Sequence, residues 1–284
     1  MTYAYLNTEF VDSAHAVLPV GDLAIQRGYG VFDFLKVAEG VPLFFQDHMD
    51  RFYASAAKMD LPLRKDREEL RSVIHELLSR NKMDISGIRF TLTGGLSPDG
   101  YQIAEPNLII TQSPLKERDP ALVERGLRLI TYPYRRQLPE VKTIDYIMAI
   151  RLQKVIREMQ ADDVLYEHDR EVSECPRTNF FVVTPRGEVR TPGTGILEGI
   201  TRMRVLEIAR TFYPVITGPV RLEDIRNAAE TFITSTTKGV LPVTEVDGVP
   251  VGDGRPGPVT RHLDRQLSAV KEEYISAYTA AYRQ

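Results

Sequence analysis

The stretch Leu138-Pro-Glu-Val-Lys-Thr-Ile-Asp-Tyr146 contains a lysine, Lys142, between an apolar strand and an amphipathic helix, with Tyr146 four residues further on. Burying an ammonium group without a partner is costly and usually drives deprotonation. A Schiff base between Lys142 and an aldehyde cofactor removes that cost, which makes Lys142 the candidate reactive residue. The alternative is an ordinary lysine at a strand-to-helix corner, and the nonapeptide by itself favours that alternative.

A glycine-rich loop, Thr191–Thr201, runs into a helix that the spacing predicts over 203–212. Unpaired backbone amides and the helix dipole make a helix N-terminus suitable for phosphate. The amides of Ile200 and Thr201 are therefore candidate phosphate ligands. The glycine spacing matches neither GxGxxG nor GxxxxGK[ST], which excludes both of those nucleotide motifs. A plain helix-capping loop explains this loop equally well.

Other polar residues could complete a cofactor site. Thr236 and Thr237 follow the apolar strand 230–233, where hydroxyl groups satisfy turns more often than they bind ligands. Arg51, three residues after His48 on a predicted helix, could offer an anion its fork of donors, although most helix arginines are solvated. Glu174 lies in a predicted loop, and a carboxylate of this kind can keep a pyridine nitrogen protonated. Each signal is weak when taken alone.

Together and in this order, these residues resemble the fold-type IV pyridoxal-phosphate enzymes, which include branched-chain aminotransferases, D-amino-acid aminotransferases and aminodeoxychorismate lyases. The resemblance spans nearly the whole chain. Its motifs are His-x-x-Arg ending at Arg51, Val-Lys-Thr-x-x-Tyr around Lys142, Glu-x-x-x-x-Asn from Glu174, the stretch Gly195–Arg202, and Thr236 after its strand. The combination is specific although each part is not.

The resemblance implies a role for each motif residue. Lys142 would hold the pyridoxal 5'-phosphate and move the proton, Tyr146 would hydrogen-bond the ring's phenolate oxygen, and Glu174 would pair with the pyridinium. The phosphate would be held by Arg51, the amides of Ile200 and Thr201, and Thr236, next to Thr237. The implied fold is α+β, with a small α/β N-terminal domain and a larger C-terminal domain with a pseudo-barrel, usually in a homodimer.

The residues that bind the substrate α-carboxylate separate members of this family. Better-known D-amino-acid aminotransferases carry Ser-Pro-Arg-Asn-His, whereas this chain has Ser97-Pro-Asp-Gly-Tyr101, and their early-strand tyrosine is replaced by Phe32. Branched-chain enzymes have Tyr-x-Arg where this chain has Gly87-Ile-Arg89. Arg89 and Arg27 remain, and a guanidinium fork matches a carboxylate. The alternative for Arg27 is a surface ion pair with a nearby acid.

These residues resemble an unconventional D-amino-acid aminotransferase, a ping-pong transaminase between a D-amino acid and a 2-oxo acid such as 2-oxoglutarate or pyruvate. A branched-chain L-amino-acid aminotransferase is the first alternative. A lyase of the aminodeoxychorismate type, which would eliminate pyruvate with the same cofactor and lysine, is the second. The sequence leaves the stereochemical preference open, because it depends on which face of the pocket holds the carboxylate.

Composition agrees with an enzyme that acts on small molecules. The chain has 284 residues, 43% of them apolar, which suits a protein with a real core. A net charge of −3 gives no reason to expect nucleic acid or an anionic membrane as a partner. The only cysteine, Cys175, excludes an internal disulfide and a cysteine-rich zinc site, and the histidines show no metal-binding spacing. We expect a cytoplasmic location, with no signal peptide and no membrane helix.

Local patterns place these residues on elements. Alternating runs predict antiparallel hairpins over 3–43, followed by helices over 46–59 and 65–80 and strands over 88–93 and 107–111. Later patterns predict strands over 127–132, 163–167 and 179–184 and helices over 146–159 and 258–280. A charged, proline-containing stretch at 114–120 predicts a linker between a small domain, 1–113, and a large cofactor-binding domain, 121–284.

Overall fold

The computed structural model describes residues 1–282 and divides the chain into two compact units. The first unit contains Met1–Lys116, Val141–Asp145 and the chain from Glu273, and the second contains Glu117–Glu140 and Tyr146–Glu272. The short segment that carries Lys142 therefore belongs to the first unit, whereas the sequence predicted it within the second domain. In the described part of the chain, no helix is both long enough and apolar enough to cross a membrane.

The first unit is built on a six-stranded antiparallel sheet in the order β2-β1-β6-β5-β3-β4. Its strands are β1 (Tyr3–Leu6), β2 (Glu9–Asp12), β3 (Gly30–Ala38), β4 (Val41–Pro42), β5 (Ser86–Thr93) and β6 (Leu108–Pro114). Its helices are a 3-10 turn (Ser13–His15), α1 (Leu23–Arg27), α2 (Phe45–Lys58) and α3 (Arg67–Asn81). The predicted hairpins, helices and strands of this region are all present, with ends shifted by a few residues.

The two faces of the β3–β5 pair have different roles. Val31 and Leu35 on β3, with Ile88 and Phe90 on β5, join the core that α2 and α3 cover. The neighbouring positions point to the other face, because side chains alternate along a strand. Phe32, Phe34 and Arg89 lie on that other face, and Phe34 is directly opposite Arg89.

The Val141–Asp145 segment runs alongside the first half of β3. Thr143 forms an isolated antiparallel bridge with Val31. The Phe32 amide donates to the Lys142 carbonyl oxygen at 2.9 Å, and the Ile144 amide donates to the Gly30 carbonyl oxygen at 3.1 Å. The backbone of Lys142 is thus fixed to the strand that carries Phe32.

The second unit is built on a ten-stranded mixed sheet that curls into a half-barrel. Eight strands follow the order β13-β12-β11-β14-β15-β7-β8-β9, while β10 pairs with β11 and β16 with β15. The strands are β7 (Leu127–Pro133), β8 (Asp163–His168), β9 (Glu171–Val172), β10 (Glu174–Cys175), β11 (Thr178–Val183), β12 (Val189–Thr191), β13 (Val215–Thr217), β14 (Glu230–Ser235), β15 (Gly239–Val246) and β16 (Val249–Pro250). The β7–β8, β7–β15 and β12–β13 pairs are parallel.

The helices that begin in the second unit are α4 (Pro120–Arg125), α5 (Ile147–Arg151), α6 (Gln153–Glu158), α7 (Ile200–Phe212), α8 (Leu222–Arg226) and α9 (Pro258–Tyr282). Three predictions need correction. The helix expected over 146–159 is two short helices separated at Leu152. Helix α7 begins at Ile200 rather than Met203, because Gly199 already takes the capping position. Glu174 lies in the two-residue strand β10, paired with Asn179, and not in a loop.

Candidate active site

The candidate site residues fall into two groups, one in each unit, and each group is described by itself. Lys142 leads the first group, and its backbone is held at two points. Its carbonyl oxygen accepts from the Phe32 amide at 2.9 Å, and its own amide donates to the Ser55 hydroxyl at 3.3 Å. Its half-buried side chain places Nζ 4.6 Å from the centre of the Phe32 ring. The candidate reactive amine is therefore positioned by strand β3 and helix α2.

Arg51 belongs to a buried cluster with Asp33 and His48. The Asp33 carboxylate, fully buried, accepts from Arg51 Nε at 2.8 Å and from Arg51 Nη2 at 2.9 Å, and contacts His48 Nδ1 at 2.7 Å. The Arg51 side chain is only 12% exposed. Asp33 thus holds one edge of the guanidinium through a charge-assisted, two-point contact, which fixes the orientation of Arg51.

Electrostatics in this cluster favour an ionised Asp33 and a neutral His48. Burial acts to raise the pKa of Asp33, but Arg51 and His48 outweigh burial and hold that pKa well below its ordinary value. Burial lowers the pKa of His48, and the positive charges of Arg51 and Lys142 lower it further against the pull of Asp33. The cluster therefore carries the charges of Asp33 and Arg51 at neutral pH, with the imidazole as a neutral partner.

Arg89 lies on the same face of β3–β5 as Phe32. Its guanidinium carbon is 4.2 Å from the centre of the Phe32 ring and 6.0 Å from that of Phe34. The first distance is a cation–π contact, while the second is at the limit of such contacts. The structure therefore brings the predicted substrate-binding Arg89 and the reactive Lys142 to one aromatic ring, although the side chain of Arg89 remains exposed.

Arg27, the second predicted substrate ligand, ends helix α1 and is exposed. Its Nη1 donates to the carbonyl oxygen of Gln26, the preceding residue, at 2.9 Å. Gly28 follows with φ of +67°, a left-handed conformation that suits glycine at a helix end. The structure thus places Arg27 at a helix terminus on the surface of the first unit, and its substrate role stays a prediction.

Glu174 leads the second group and is gripped by three donors. Its Oε1 accepts from Arg136 Nη1 at 3.0 Å, and its Oε2 accepts from Asn179 Nδ2 at 3.1 Å and from the Leu197 amide at 3.0 Å. The side chain of Glu174 is 6% exposed and that of Arg136 is 17% exposed. Two of the donors come from a strand and a loop that pair with its own hairpin, so the orientation of the carboxylate is determined by the fold.

Gly199 caps helix α7 with no side-chain hydrogen bond, and Met203 makes the first helical bond to the Gly199 carbonyl at 2.9 Å. The amides of Ile200 and Thr201 therefore have no carbonyl partner within the helix. Both residues are 6% exposed. A Cβ on Gly199 would stand 2.1 Å from Asn179 Oδ1, so only glycine allows this close approach. The helix end and the Glu174 hairpin are thus packed together.

The remaining predicted cofactor ligands also lie in the second unit. Thr236 and Thr237 form the turn between β14 and β15, where Thr236 is half-buried and Thr237 is exposed. Strand β14 pairs with β11 through Thr234 and Asn179, which places this turn two residues beyond the partner of the Glu174-binding amide. Tyr146 occupies the capping position of α5 and is half-buried.

Sequence reasoning missed Asp33 and Arg136. Asp33 carried a usable signal, since a carboxylate between apolar residues on a buried strand requires a partner. Its partners on α2 follow from the packing of the helix, which local pattern does not give. Arg136 carried no signal, because nothing in the sequence distinguishes it from the adjacent, exposed Arg135.

Comparison with known proteins identifies the family. Residues 30–246 match the model of amino-transferase class IV. The chain is 28% identical over 268 residues to D-alanine aminotransferase of Listeria monocytogenes, covering 91% of this chain and 92% of the relative. It is 31% identical over 284 residues to a protein of Methanocaldococcus jannaschii provisionally named a branched-chain-amino-acid aminotransferase, covering 95% and 96%. The chain therefore belongs to the class IV aminotransferases.

A solved structure agrees with this assignment. The branched-chain amino acid aminotransferase of the organism abbreviated T.th., solved with pyridoxamine 5'-phosphate, superposes with a TM-score of 0.88 at 26% identity, covering 95% of this chain and 94% of that chain. The predicted fold class, with its pseudo-barrel, is confirmed. The chain is a pyridoxal-phosphate-dependent aminotransferase, so its substrates are amino acids and 2-oxo acids.

The residues present fit this cofactor. A lysine on a fixed backbone suits an aldehyde, and a buried, oriented carboxylate suits a pyridine nitrogen. A glycine-capped helix N-terminus and an arginine with one fixed edge suit a phosphate. The close approach at Gly199 keeps the helix end clear of a side chain.

Proposed function

We propose that this aminotransferase transfers the amino group of D-amino acids to a 2-oxo acid such as 2-oxoglutarate or pyruvate, in two half-reactions. The observation that carries the proposal is the placement of Arg89 and Lys142 on one ring, with Nζ and guanidinium 4.6 and 4.2 Å from its centre. That placement puts a carboxylate ligand beside the reactive amine. The resemblance to D-alanine aminotransferases supports the D-amino acid preference.

The chain's residues have defined roles in this proposal. Pyridoxal phosphate supplies an electron sink through its pyridine ring. Lys142 binds the cofactor covalently and, once released, uses Nζ to take the proton from the substrate Cα and return one. Glu174 keeps the pyridine nitrogen protonated. Tyr146 donates a hydrogen bond to the phenolate oxygen. Arg51, the amides of Ile200 and Thr201, and the hydroxyls of Thr236 and Thr237 hold the phosphate.

Arg89 binds the substrate α-carboxylate in this proposal, assisted by Arg27. An amino nitrogen and its own carboxylate carbon are about 2.5 Å apart in any α-amino acid. A guanidinium that pairs with this carboxylate then has its carbon roughly 6–7 Å from the amino nitrogen. The two contacts with Phe32 keep Lys142 Nζ and the Arg89 guanidinium carbon within about 9 Å, which accommodates that spacing.

A branched-chain L-amino-acid aminotransferase is the second candidate. It is favoured by the superposition on the T.th. enzyme and by the 31% identity to the Methanocaldococcus jannaschii relative. Arg89 fits this candidate as well, because every α-amino acid carries the same carboxylate. The two candidates differ in which face of the cofactor receives the substrate.

Half-reactions without an acceptor distinguish the candidates. Purified enzyme is mixed with D- or L-alanine, glutamate or leucine, and the loss of the yellow absorbance of the lysine-bound cofactor is followed. We expect D-isomers to react at least tenfold faster than their L-isomers. Faster reaction of L-leucine would refute the D-preference and support the branched-chain activity. Full turnover that needs no 2-oxo acid would exclude a transaminase.

The chain also carries an apolar surface that supports a homodimer. Ile147 and Ile150 on α5 are 74% and 71% exposed, and their spacing puts them on one side of the helix directly after Tyr146. Exposed apolar groups of this kind mark protein interfaces. Sedimentation equilibrium tests this part of the proposal: we expect a mass near twice the chain's 32.2 kDa, and a single-chain mass would refute the dimer.

A further inference from the structure

The Phe32 ring is the common neighbour of two cationic side chains. Lys142 Nζ lies 4.6 Å from its centre, and the Arg89 guanidinium carbon lies 4.2 Å from it. Phe32 itself is 5% exposed and is anchored through its amide to the Lys142 carbonyl oxygen at 2.9 Å. A buried ring on a central strand is a rigid support, whereas Arg89 is an exposed side chain with several rotatable bonds.

We propose that Phe32 is a positioning residue that sets the location of the Arg89 guanidinium relative to the reactive amine, and so selects substrates with a carboxylate on the carbon that bears the amino group. This inference rests on the proposed function. The ring's electron-rich face attracts the guanidinium and limits the positions that it samples. Arg89 then loses less conformational entropy when it pairs with a carboxylate, because part of its order is already present.

The ring acts on Arg89 through its face and on Lys142 mainly through its backbone. The hydrogen bonds that fix Lys142 use the Phe32 amide and the Ser55 hydroxyl, and both survive a change of the Phe32 side chain. Replacing the ring should therefore affect carboxylate recognition more than the chemistry at Lys142. Substrates that lack a carboxylate report the second effect alone.

Phe34 provides a matched control. It lies two residues along the same strand and on the same face, directly opposite Arg89, but its ring centre is 6.0 Å from the guanidinium carbon. Its ring covers Gly87, where a Cβ would meet it at 2.1 Å. Phe34→Leu removes an equal amount of aromatic surface from this face while leaving the ring nearer to Arg89 in place.

The test compares Phe32→Leu, Phe32→Met, Phe32→Tyr and Phe34→Leu with the wild-type holoenzyme. Two readouts are used: the dissociation constant of propionate, a carboxylate without an amine, by titration calorimetry, and half-reaction kinetics with D-alanine and with a primary amine that has no carboxylate. Phe32→Leu and Phe32→Met should raise the propionate dissociation constant and the D-alanine KM about five- to tenfold. Phe32→Tyr keeps the ring and should restore both within about twofold, and Phe34→Leu should leave both unchanged.

Three results would overturn the inference. The first is an equal loss for D-alanine and the primary amine, which would make Phe32 a structural support for Lys142. The second is an equal loss in Phe34→Leu. The third is additivity of Phe32→Leu with Arg89→Ala, since a residue that acts through Arg89 should add no further loss in its absence. Two aliphatic variants of different shape guard against one misfolding.

Failure of the proposed function looks different. If Arg89→Ala itself left propionate binding and D-alanine kinetics intact, Arg89 would not be the carboxylate ligand. A normal effect of Arg89→Ala combined with no effect of Phe32→Leu and Phe32→Met would refute only the positioning role.

Discussion

Asp33→Asn tests the buried cluster that orients Arg51. The substitution keeps the size of the side chain but removes its charge, and an amide offers one acceptor oxygen where the carboxylate offers two. Wild-type Asp33 accepts from Arg51 at 2.8 and 2.9 Å and contacts His48 at 2.7 Å, and it has no exposure to water. The variant removes the negative charge that faces the Arg51 guanidinium, which is 12% exposed.

The size of the effect follows from this geometry. Removing one partner of a buried ion pair costs about 3–5 kcal/mol, because the other charge stays buried and uncompensated. Asparagine retains one acceptor and the shape of the site, which points to the lower end, about 3 kcal/mol. That loss corresponds to a decrease of roughly a hundredfold in the ratio of folded to unfolded protein.

Urea unfolding followed by circular dichroism, in saturating pyridoxal phosphate at pH 7, measures this loss. We expect the midpoint to fall by about 1 M with little change in slope. Asp50→Asn is the control, because it breaks an exposed ion pair with Arg67, whose side chains are 55% and 41% exposed, and should cost well under 1 kcal/mol. An Asp33→Asn protein within about 0.5 kcal/mol of wild type would refute the claim that this carboxylate stabilises the cluster.

The pH dependence gives the same test a second readout. Arg51 and His48 hold the folded-state pKa of Asp33 below its ordinary value against the effect of burial, so the folded chain resists protonation where the unfolded chain accepts it. The stabilisation is therefore complete above the unfolded pKa, about 4, and is lost as pH falls through the folded pKa. The difference between wild type and Asp33→Asn should shrink below about pH 4 and remain constant from about pH 5 to 7. A difference that grew on acidification would contradict this assignment of charge.

Four further predictions concern the candidate site. Lys142→Ala should lose the yellow cofactor absorbance and at least a thousandfold in turnover, and a borohydride-reducible cofactor adduct that persisted in the variant would exclude Lys142 as the anchor. Glu174→Gln should slow D-alanine half-reactions about a hundredfold while the cofactor's dissociation constant changes much less, and equal rates would exclude a role at the pyridine nitrogen. Gly199→Ala should weaken cofactor binding by about tenfold or more in fluorescence titration, because its Cβ would force Asn179 Oδ1 away from a 2.1 Å contact. Arg27→Ala should raise the KM for D-alanine about three- to tenfold, less than Arg89→Ala, and an unchanged KM would leave Arg27 as a surface residue.

Much of the fold could be predicted from local patterns. Alternation along β3 and β5 and the helical spacing in α2 and α3 are visible in the sequence, because burial of one face imposes the period. The position of Lys142 was not predictable in this way. The bridge between Val31 and Thr143 joins positions more than one hundred residues apart, and local spacing carries no information about such pairing. The two-residue strand at Glu174 was missed for a similar reason, since it exists only through its pairing with Asn179.

The identities of the candidate site residues were more accessible than their neighbours. Lysine, glutamate and glycine were recognisable because their chemistry at those positions is unusual. The residues that hold them were not recognisable, since an arginine such as Arg136 or a phenylalanine such as Phe32 has many ordinary uses. Their contacts depend on rotamers and on strand register, which the fold determines as a whole.

Strand β3 places Phe32 and Asp33 next to each other in the chain but on opposite faces of the sheet, one beside Arg89 and the other beside Arg51. For protein engineering, this alternation separates two properties that a single loop would mix. Substitutions at position 32 should alter substrate choice with little change in cofactor retention, and substitutions at position 33 should do the reverse. The same alternation makes the strand intolerant of length changes: deleting one residue ahead of position 32 would turn the carboxylate toward the substrate side and the ring toward the helices. We therefore expect variation within this strand to occur by replacement of side chains and never by insertion or deletion.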